Sequence, residues 1–144
     1  METASTPTSA ASEQGKSKGE LAASQRTCKV CIENNFGAAV RNVSLRHRMH
    51  NEETGEEYVT AKGLQNNSRS NEVTIHYMTG IGSGFDYWYV RFEDQNGQAY
   101  QCKDSFYCNL TSADEGNVVV AALSSAELKL AIPSGNCSVS LSKA

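Results

Sequence analysis

No apolar run in this chain approaches the length that spans a membrane as a helix, and the N-terminus carries no apolar stretch of the kind that heads a secretory signal. The expectation is a cytoplasmic protein with no transmembrane segment. Clustered basic residues are missing as well. Thirteen Lys and Arg stand against sixteen Asp and Glu, for a net charge of −3, and the nearest thing to a basic cluster is Arg46 with Arg48. A phosphate backbone asks for far more than that, so nucleic acid is excluded as a partner. There is no long amphipathic helical pattern, no strand–helix alternation and no internal repeat. These absences exclude α/β architectures and solenoids.

The cysteine count of five is odd. In a reducing cytosol the expectation is five free thiols. Cys102 and Cys108 flank the segment KDSFY and could approach across a tight corner to form a reversible disulfide if oxidised. The reading favours reduced thiols even there, and Cys137 has no evident partner. Asn42, Asn66, Asn109 and Asn136 head N-x-S/T sequons, which matter only for a chain that enters the secretory pathway.

What is present is period-two alternation. Residues 1–26 are rich in Ser, Thr, Ala, Gly and Lys and cannot bury enough apolar surface to offset their ordering entropy, so they are expected to form a disordered tail. From Thr27 onward the pattern changes to short strands separated by turns. Cys28, Val30 and Ile32 share one face; so do Val43, Leu45 and His47, then Val73, Ile75 and Tyr77, then Leu128, Leu130 and Ile132, then Cys137, Val139 and Leu141. Asn96–Gly97 marks a hairpin turn, and Thr111 with Asp114, or Ser112 with Glu115, resembles a capping box on one helical turn. The run NVVVAALS is apolar on both faces and belongs at the centre of a sheet. The expected fold is all-β: a single antiparallel β-sandwich of eight to nine strands over residues 27–144, with a barrel as the alternative.

The densest stretch is FDYWYVRF. Trp88, Val90 and Phe92 fall on one face and read as core. Phe85, Tyr87, Tyr89 and Arg91 fall on the other, which is too aromatic for an ordinary solvated face. With Tyr77 and Tyr107 these residues form a candidate ligand-binding set, and Phe106 clusters with them in the sequence. Tyrosine suits such a surface because it carries large rigid area with a polar tip, and Arg91 suits a carboxylate or phosphate.

Other constellations fail on their own geometry. Cys28 and Cys31, like His47 and His50, are three apart on strands, so each pair points to opposite faces and cannot converge on a metal ion. Cys28 reads as core and Cys31 as a surface or second-layer thiol. The glycine run at residues 80–84 is followed by a strand where a phosphate loop needs a helix. Cys102, His76 and Asp104 contain the types of a nucleophilic triad without a signature that joins them. Catalytic residues, metal ligands and cofactors are therefore expected to be none.

The segments VRNVSLRHR, HYMTGIGSGFDYWYVRF and GQAYQCKDSFYCNLT, with a terminal CSVSL strand, resemble the PUD family (up-regulated in Daf-two) of nematodes and fungi. Its most specific parts here are DYW at residues 86–88 and CKDSFYCNLT at residues 102–111. The resemblance covers roughly residues 28–142. It implies an intracellular β-sandwich, monomeric in some members and dimeric in others, with no known catalytic activity and so no site residues to carry over. The expected function is that of a non-catalytic, stress-associated binding protein acting at the aromatic face on a protein partner, a second copy of the chain or a small ligand. A lectin-like or cytolysin-like module that binds carbohydrate or membrane lipid is the alternative.

Overall fold

The computed structural model describes residues 23–49 and 55–144. Ten strands are described: β1 Ser24–Asn34, β2 Val40–Met49, β3 Glu57–Leu64, β4 Val73–Thr79, β5 Asp86–Glu93, β6 Ala99–Gln101, β7 Val118–Leu123, β8 Glu127–Ala131, β9 Cys137–Ser140 and β10 Ser142–Lys143. They form two five-stranded sheets, ordered β9-β8-β7-β1-β4 and β10-β6-β5-β2-β3. The tail expected over residues 1–26 lies mostly outside the described residues, but Ser24, Gln25 and Arg26 already pair with β4, so the domain begins before Thr27. The turn read at NEETGE and His50 fall largely on residues 50–54, also outside the described set.

The alternation that marks the strands is the alternation that fills the sandwich. Cys28, Val30 and Ile32 of β1, Val43 and Leu45 of β2, Ile75 and Tyr77 of β4, Trp88, Val90 and Phe92 of β5, and Leu128 and Leu130 of β8 meet between the sheets. Trp88 is fully buried, and its indole N–H donates to the Cys108 carbonyl at 2.9 Å, so its large apolar area carries no unmet polar group. Burying each side chain of this size is worth about 1.5–3 kcal/mol.

Three features differ from the expectation. β1 and β7 pair in parallel, so the first sheet is mixed. A parallel pair needs a crossover, and here the five strands β2 to β6, four of them in the second sheet and β4 in the first, lie between β1 and β7 in sequence and supply it. The last strand is two strands: the chain leaves the first sheet after Ser140, and Ser142–Lys143 pair with β6 in the second. The count is thus ten where eight or nine were expected. Residues 98–104 hold only a three-residue strand; beyond Gln101 the chain runs along β5 through Trp88 N to the Phe106 carbonyl and Cys108 N to the Asp86 carbonyl.

The local punctuation matches the reading. Gly97 has φ of 82° in the β5–β6 turn, which asks for a residue without a Cβ. A short 3-10 helix at Ser112–Asp114 carries both halves of a capping box with Thr111.

The cysteines depart from five free thiols. Cys108 and Cys137 form a disulfide, while Cys28, Cys31 and Cys102 are free and buried. The bond ties the edge strand β9 to the segment beside β5. Cys137 therefore has a partner, and Cys108 pairs with it and not with Cys102. Cys31 is not a surface thiol: it is 1% exposed, because β1 is flanked by β7 and by the loop whose Arg69 pairs with Glu33, and so small a side chain disappears between them. Burial pushes the Cys28 thiol up to about 12, with the nearby charge of Asp114 adding to it, so it carries no thiolate.

Candidate functional site

Because Trp88, Val90 and Phe92 point inward, Tyr87, Tyr89 and Arg91 point out from the second sheet. β5 pairs with β2 in the register Arg46↔Tyr89 and Arg48↔Tyr87, so outward residues of the two strands lie side by side. Arg46 sits 5.3 Å from the centroid of the Tyr89 ring and Arg48 sits 5.4 Å from that of Tyr87. Stacks of this kind are worth about 0.5–1 kcal/mol at exposed sites. On the other side of β5, Tyr107 forms an isolated bridge with Tyr87. Its ring stacks on Phe85 at 5.1 Å and 18° and meets the Tyr87 ring edge-on at 6.2 Å. Phe85 and Tyr107 remain 46% and 54% exposed, so the stack presents a broad ring surface to solvent.

Of the six expected ligand residues, the structure brings Phe85, Tyr87 and Tyr107 together. Tyr89 lies on the same face one step along β5, half-buried, with its hydroxyl donating to Gln101 Oε1 at 2.5 Å. Arg91 lies on that face beyond Tyr89, exposed, between Ser44 and Gln101. Tyr77 does not belong: it is in β4 of the other sheet, 1% exposed, and its hydroxyl donates to the Thr111 carbonyl at 2.8 Å. Its phase already ties it to Ile75 and the core, and burial pushes its phenol up. Phe106 is likewise core.

Sequence reasoning passed over Arg46, Arg48 and Asp104 as members of this site. Asp104 receives a hydrogen bond from Arg46 Nη2. That bond and the charges of Arg46 and Arg48 hold its carboxyl below the usual range, against a smaller opposing effect of burial. The two arginines carry an outward, every-second-residue signal on β2, but their partners come from a strand 39 residues away in sequence, as the His47–Asp86 pair shows.

A second cluster sits between the sheets at one edge. His47 Nε2 is 2.7 Å from Asp86 Oδ1, and both residues are buried. Asp86 Oδ2 accepts from Leu110 N at 2.9 Å. On the other side His47 Nδ1 lies 3.4 Å from Glu57 Oε1, within ion-pair range but without hydrogen-bond alignment. Glu57 in turn accepts from His76 Nδ1 at 2.7 Å and from His76 N at 2.9 Å, joining edge strands β3 and β4 of opposite sheets. For His47, burial is the largest single effect and disfavours charge. The hydrogen bonds and charges of Asp86 and Glu57 outweigh it together, so the imidazole is raised. For Glu57, burial raises, and the two histidines more than reverse it, so the carboxyl is lowered.

The Cys102, His76 and Asp104 set is not assembled. His76 belongs to β4 with Glu57, Asp104 lies against Arg46, and Cys102 is buried with its thiol raised by burial. Among the described residues no group of three or more His, Cys, Asp or Glu is placed to hold a metal ion. Among them, too, no helix is long and apolar enough to cross a membrane.

A two-sheet sandwich, closed at one edge by an Asp–His–Glu–His chain that runs from the buried Asp86–His47 pair out to the exposed His76, and bearing aromatic rings and arginines on its outer face, is thus the class of domain at hand. The family model described as "Up-Regulated in long-lived daf-2" matches residues 24–136, and the chain belongs to this family. No curated protein matches the chain. Among solved structures, an NMR structure of a protein from Eubacterium rectale is similar at 17% identity and a TM-score of 0.40, covering 76% of this chain and 91% of that one.

Proposed function

We propose that this PUD-family domain is a non-catalytic binding protein that engages a protein or small ligand through the outer face of the β10-β6-β5-β2-β3 sheet. The observation that carries the reading is the Phe85–Tyr87–Tyr107 ring cluster, exposed and continued along the sheet by the Arg48–Tyr87 and Arg46–Tyr89 stacks. Aromatic rings and arginine are the residue types that concentrate at recognition surfaces. The fold does not need them there, since the core is complete on the opposite side of β5. A stress-associated role is part of the same proposal and draws its support from the family's description as up-regulated in long-lived daf-2; a cytoplasmic location is proposed with it, and the Cys108–Cys137 bond counts against that location.

The test compares wild-type protein with Tyr87→Ala and Tyr89→Ala in affinity capture and in thermal-shift screening of small molecules. Interactions lost in the variants support the face as the site. Interactions left unchanged in both refute it.

One observation favours a second reading, a membrane-lipid-binding module. Ile81 is 70% exposed on the glycine-rich loop that leads into Phe85, which puts an aliphatic and an aromatic side chain at one end of the sandwich. Co-sedimentation with liposomes tests it: pelleting abolished by Ile81→Ser supports lipid binding, and no pelleting with neutral or anionic vesicles removes it.

A further inference from the structure

Arg46 and Arg48 stand two residues apart on the outer face of β2, and each lies over a tyrosine of β5. Their surroundings match; their partners do not. Arg46 donates to the Asp104 carboxylate. Arg48 makes no hydrogen bond or ion pair among the described residues, and its Nε, like that of Arg46, is buried without a hydrogen-bond partner. Asp104 sits between two hollows. One, of about 380 Å³, is lined by Arg46, Tyr89, Gln101 and Lys103; the other, of about 410 Å³, by Arg48, Tyr87 and Ser105. The Asp104 side chain is 66% exposed and rides on an arginine that is only 14% exposed.

We propose that the Arg48–Tyr87 hollow, bordered by Ser105 and the Phe85–Tyr107 stack, binds the carboxylate of an acidic peptide segment of a protein partner. The Arg46–Asp104 pair is this chain's own copy of that contact. The inference rests on the outer face being the binding surface and names what it binds.

Three observations support a peptide carboxylate. A guanidinium fork matches a carboxylate in shape and charge, and the tyrosine beneath it fixes the fork in place. The carboxylate already seated next door is a peptide aspartate, with Tyr107 of the ring cluster three positions on, so an acidic residue with an aromatic one three positions later is the pattern the face already accommodates. Charge points the same way: Arg46, Arg48, Arg91 and Lys103 gather on or beside this face although the whole chain carries −3, which makes the face locally complementary to an acidic partner. Arg46, with Arg48 behind it, also lowers the Asp104 carboxyl, as the same fork would do to an incoming acid.

The test is a titration of isotope-labelled protein at low salt with the acetylated, amidated peptide Asp-Tyr-Asp-Tyr-Asp, and with its Asn-Tyr-Asn-Tyr-Asn counterpart, read by backbone and arginine Nε–H NMR signals. The acidic peptide is expected to shift Arg48, Tyr87 and Tyr107, and the neutral one to bind at least tenfold more weakly. Arg48→Met is expected to remove the binding. Asp104→Asn frees Arg46 as a second fork and is expected to tighten binding about tenfold, the gain of one further charge-assisted hydrogen bond. This gain-of-affinity variant keeps the proposal open to refutation even where Arg48→Met weakens the fold. Equal binding of both peptides overturns the carboxylate assignment while leaving the aromatic face as the binding surface. Shifts confined to the other sheet overturn both. No shift from either peptide at millimolar concentration overturns the acidic-peptide assignment. Anionic vesicles that shift the same residues while the acidic peptide does not assign the site to lipid and overturn the peptide source.

Discussion

Replacing Asp86 with Asn tests the buried edge of the sandwich through its charge. Asp86 gives one carboxylate oxygen to His47 at 2.7 Å and the other to Leu110 N at 2.9 Å. Asn is the same shape but has one acceptor and an NH2 group. Either orientation therefore turns an N–H toward another donor, and the imidazolium loses its buried counter-charge. Removing one partner of a buried pair of this kind costs about 3–5 kcal/mol, of which about 1.5 kcal/mol is the charge-assisted hydrogen bond from Leu110 N to the carboxylate and the rest depends on the charge of His47. The sign of the pH dependence follows from the directions. His47 is raised above 6.5, so its contribution is fully present below pH 6.5 and is lost as pH rises through the folded-state value. Glu57 is lowered below 4.5, so its contribution is present above pH 4.5 and is lost as pH falls through its folded-state value. Urea unfolding of wild type and Asp86→Asn across pH 5 to 9 is the assay. The gap is expected to be widest near pH 5–6.5 and to shrink to about 1.5 kcal/mol or less at the alkaline end, where a neutral His47 accepts the Asn NH2 through Nε2 and leaves the amide oxygen to Leu110 N. A gap below about 1 kcal/mol at pH 6, or one that stays constant across the range, refutes a charged His47 at this seam.

Tyr77→Phe removes a buried hydroxyl bonded to the Thr111 carbonyl and is expected to cost about 1 kcal/mol in urea unfolding while leaving ligand binding at the outer face intact; a binding defect at unchanged stability would return Tyr77 to the site. Cys137→Ser opens a disulfide that spans 29 residues and is expected to cost about 3.6 kcal/mol by the loop-entropy relation, within the 2–5 kcal/mol usual for native bonds. Equilibrium unfolding of the non-reduced protein checks the cost. Non-reducing peptide mapping of protein from its native cells checks the bond, and in a persistently reducing compartment both thiols would be recovered free.

The parts of the fold legible in the sequence are those set by near neighbours. Alternation places Trp88, Val90 and Phe92 inward, Leu128 and Leu130 likewise, and local motifs mark the turn at Gly97 and narrow the cap to Thr111 or Ser112, of which the structure has Thr111, because each depends on residues within a few positions. What decides strand order acts across long separations. Nothing within NVVVAALS indicates that β7 runs parallel to β1, and nothing beside Cys137 indicates Cys108. The candidate site divides on the same line. Phe85, Tyr87 and Tyr89 belong to one local aromatic run, which alternation alone puts on one face. Arg46, Arg48 and Asp104 join it only through the β2–β5 pairing and the chain that follows β6, which no local pattern shows. Tyr77 was included because it is aromatic and close in sequence, although its phase with Ile75 already placed it in the core.

The most direct test of the outer face as the binding surface is photo-crosslinking in the native cells with a benzophenone side chain at position 107, compared with the same probe at position 74. Tyr107 is on the ring cluster, and Thr74 is exposed on the outside of the opposite sheet. The account predicts discrete crosslinked products from position 107 that disappear on Tyr87→Ala, and none from position 74. Products from position 74 alone, or products from position 107 that persist in Tyr87→Ala, would contradict it.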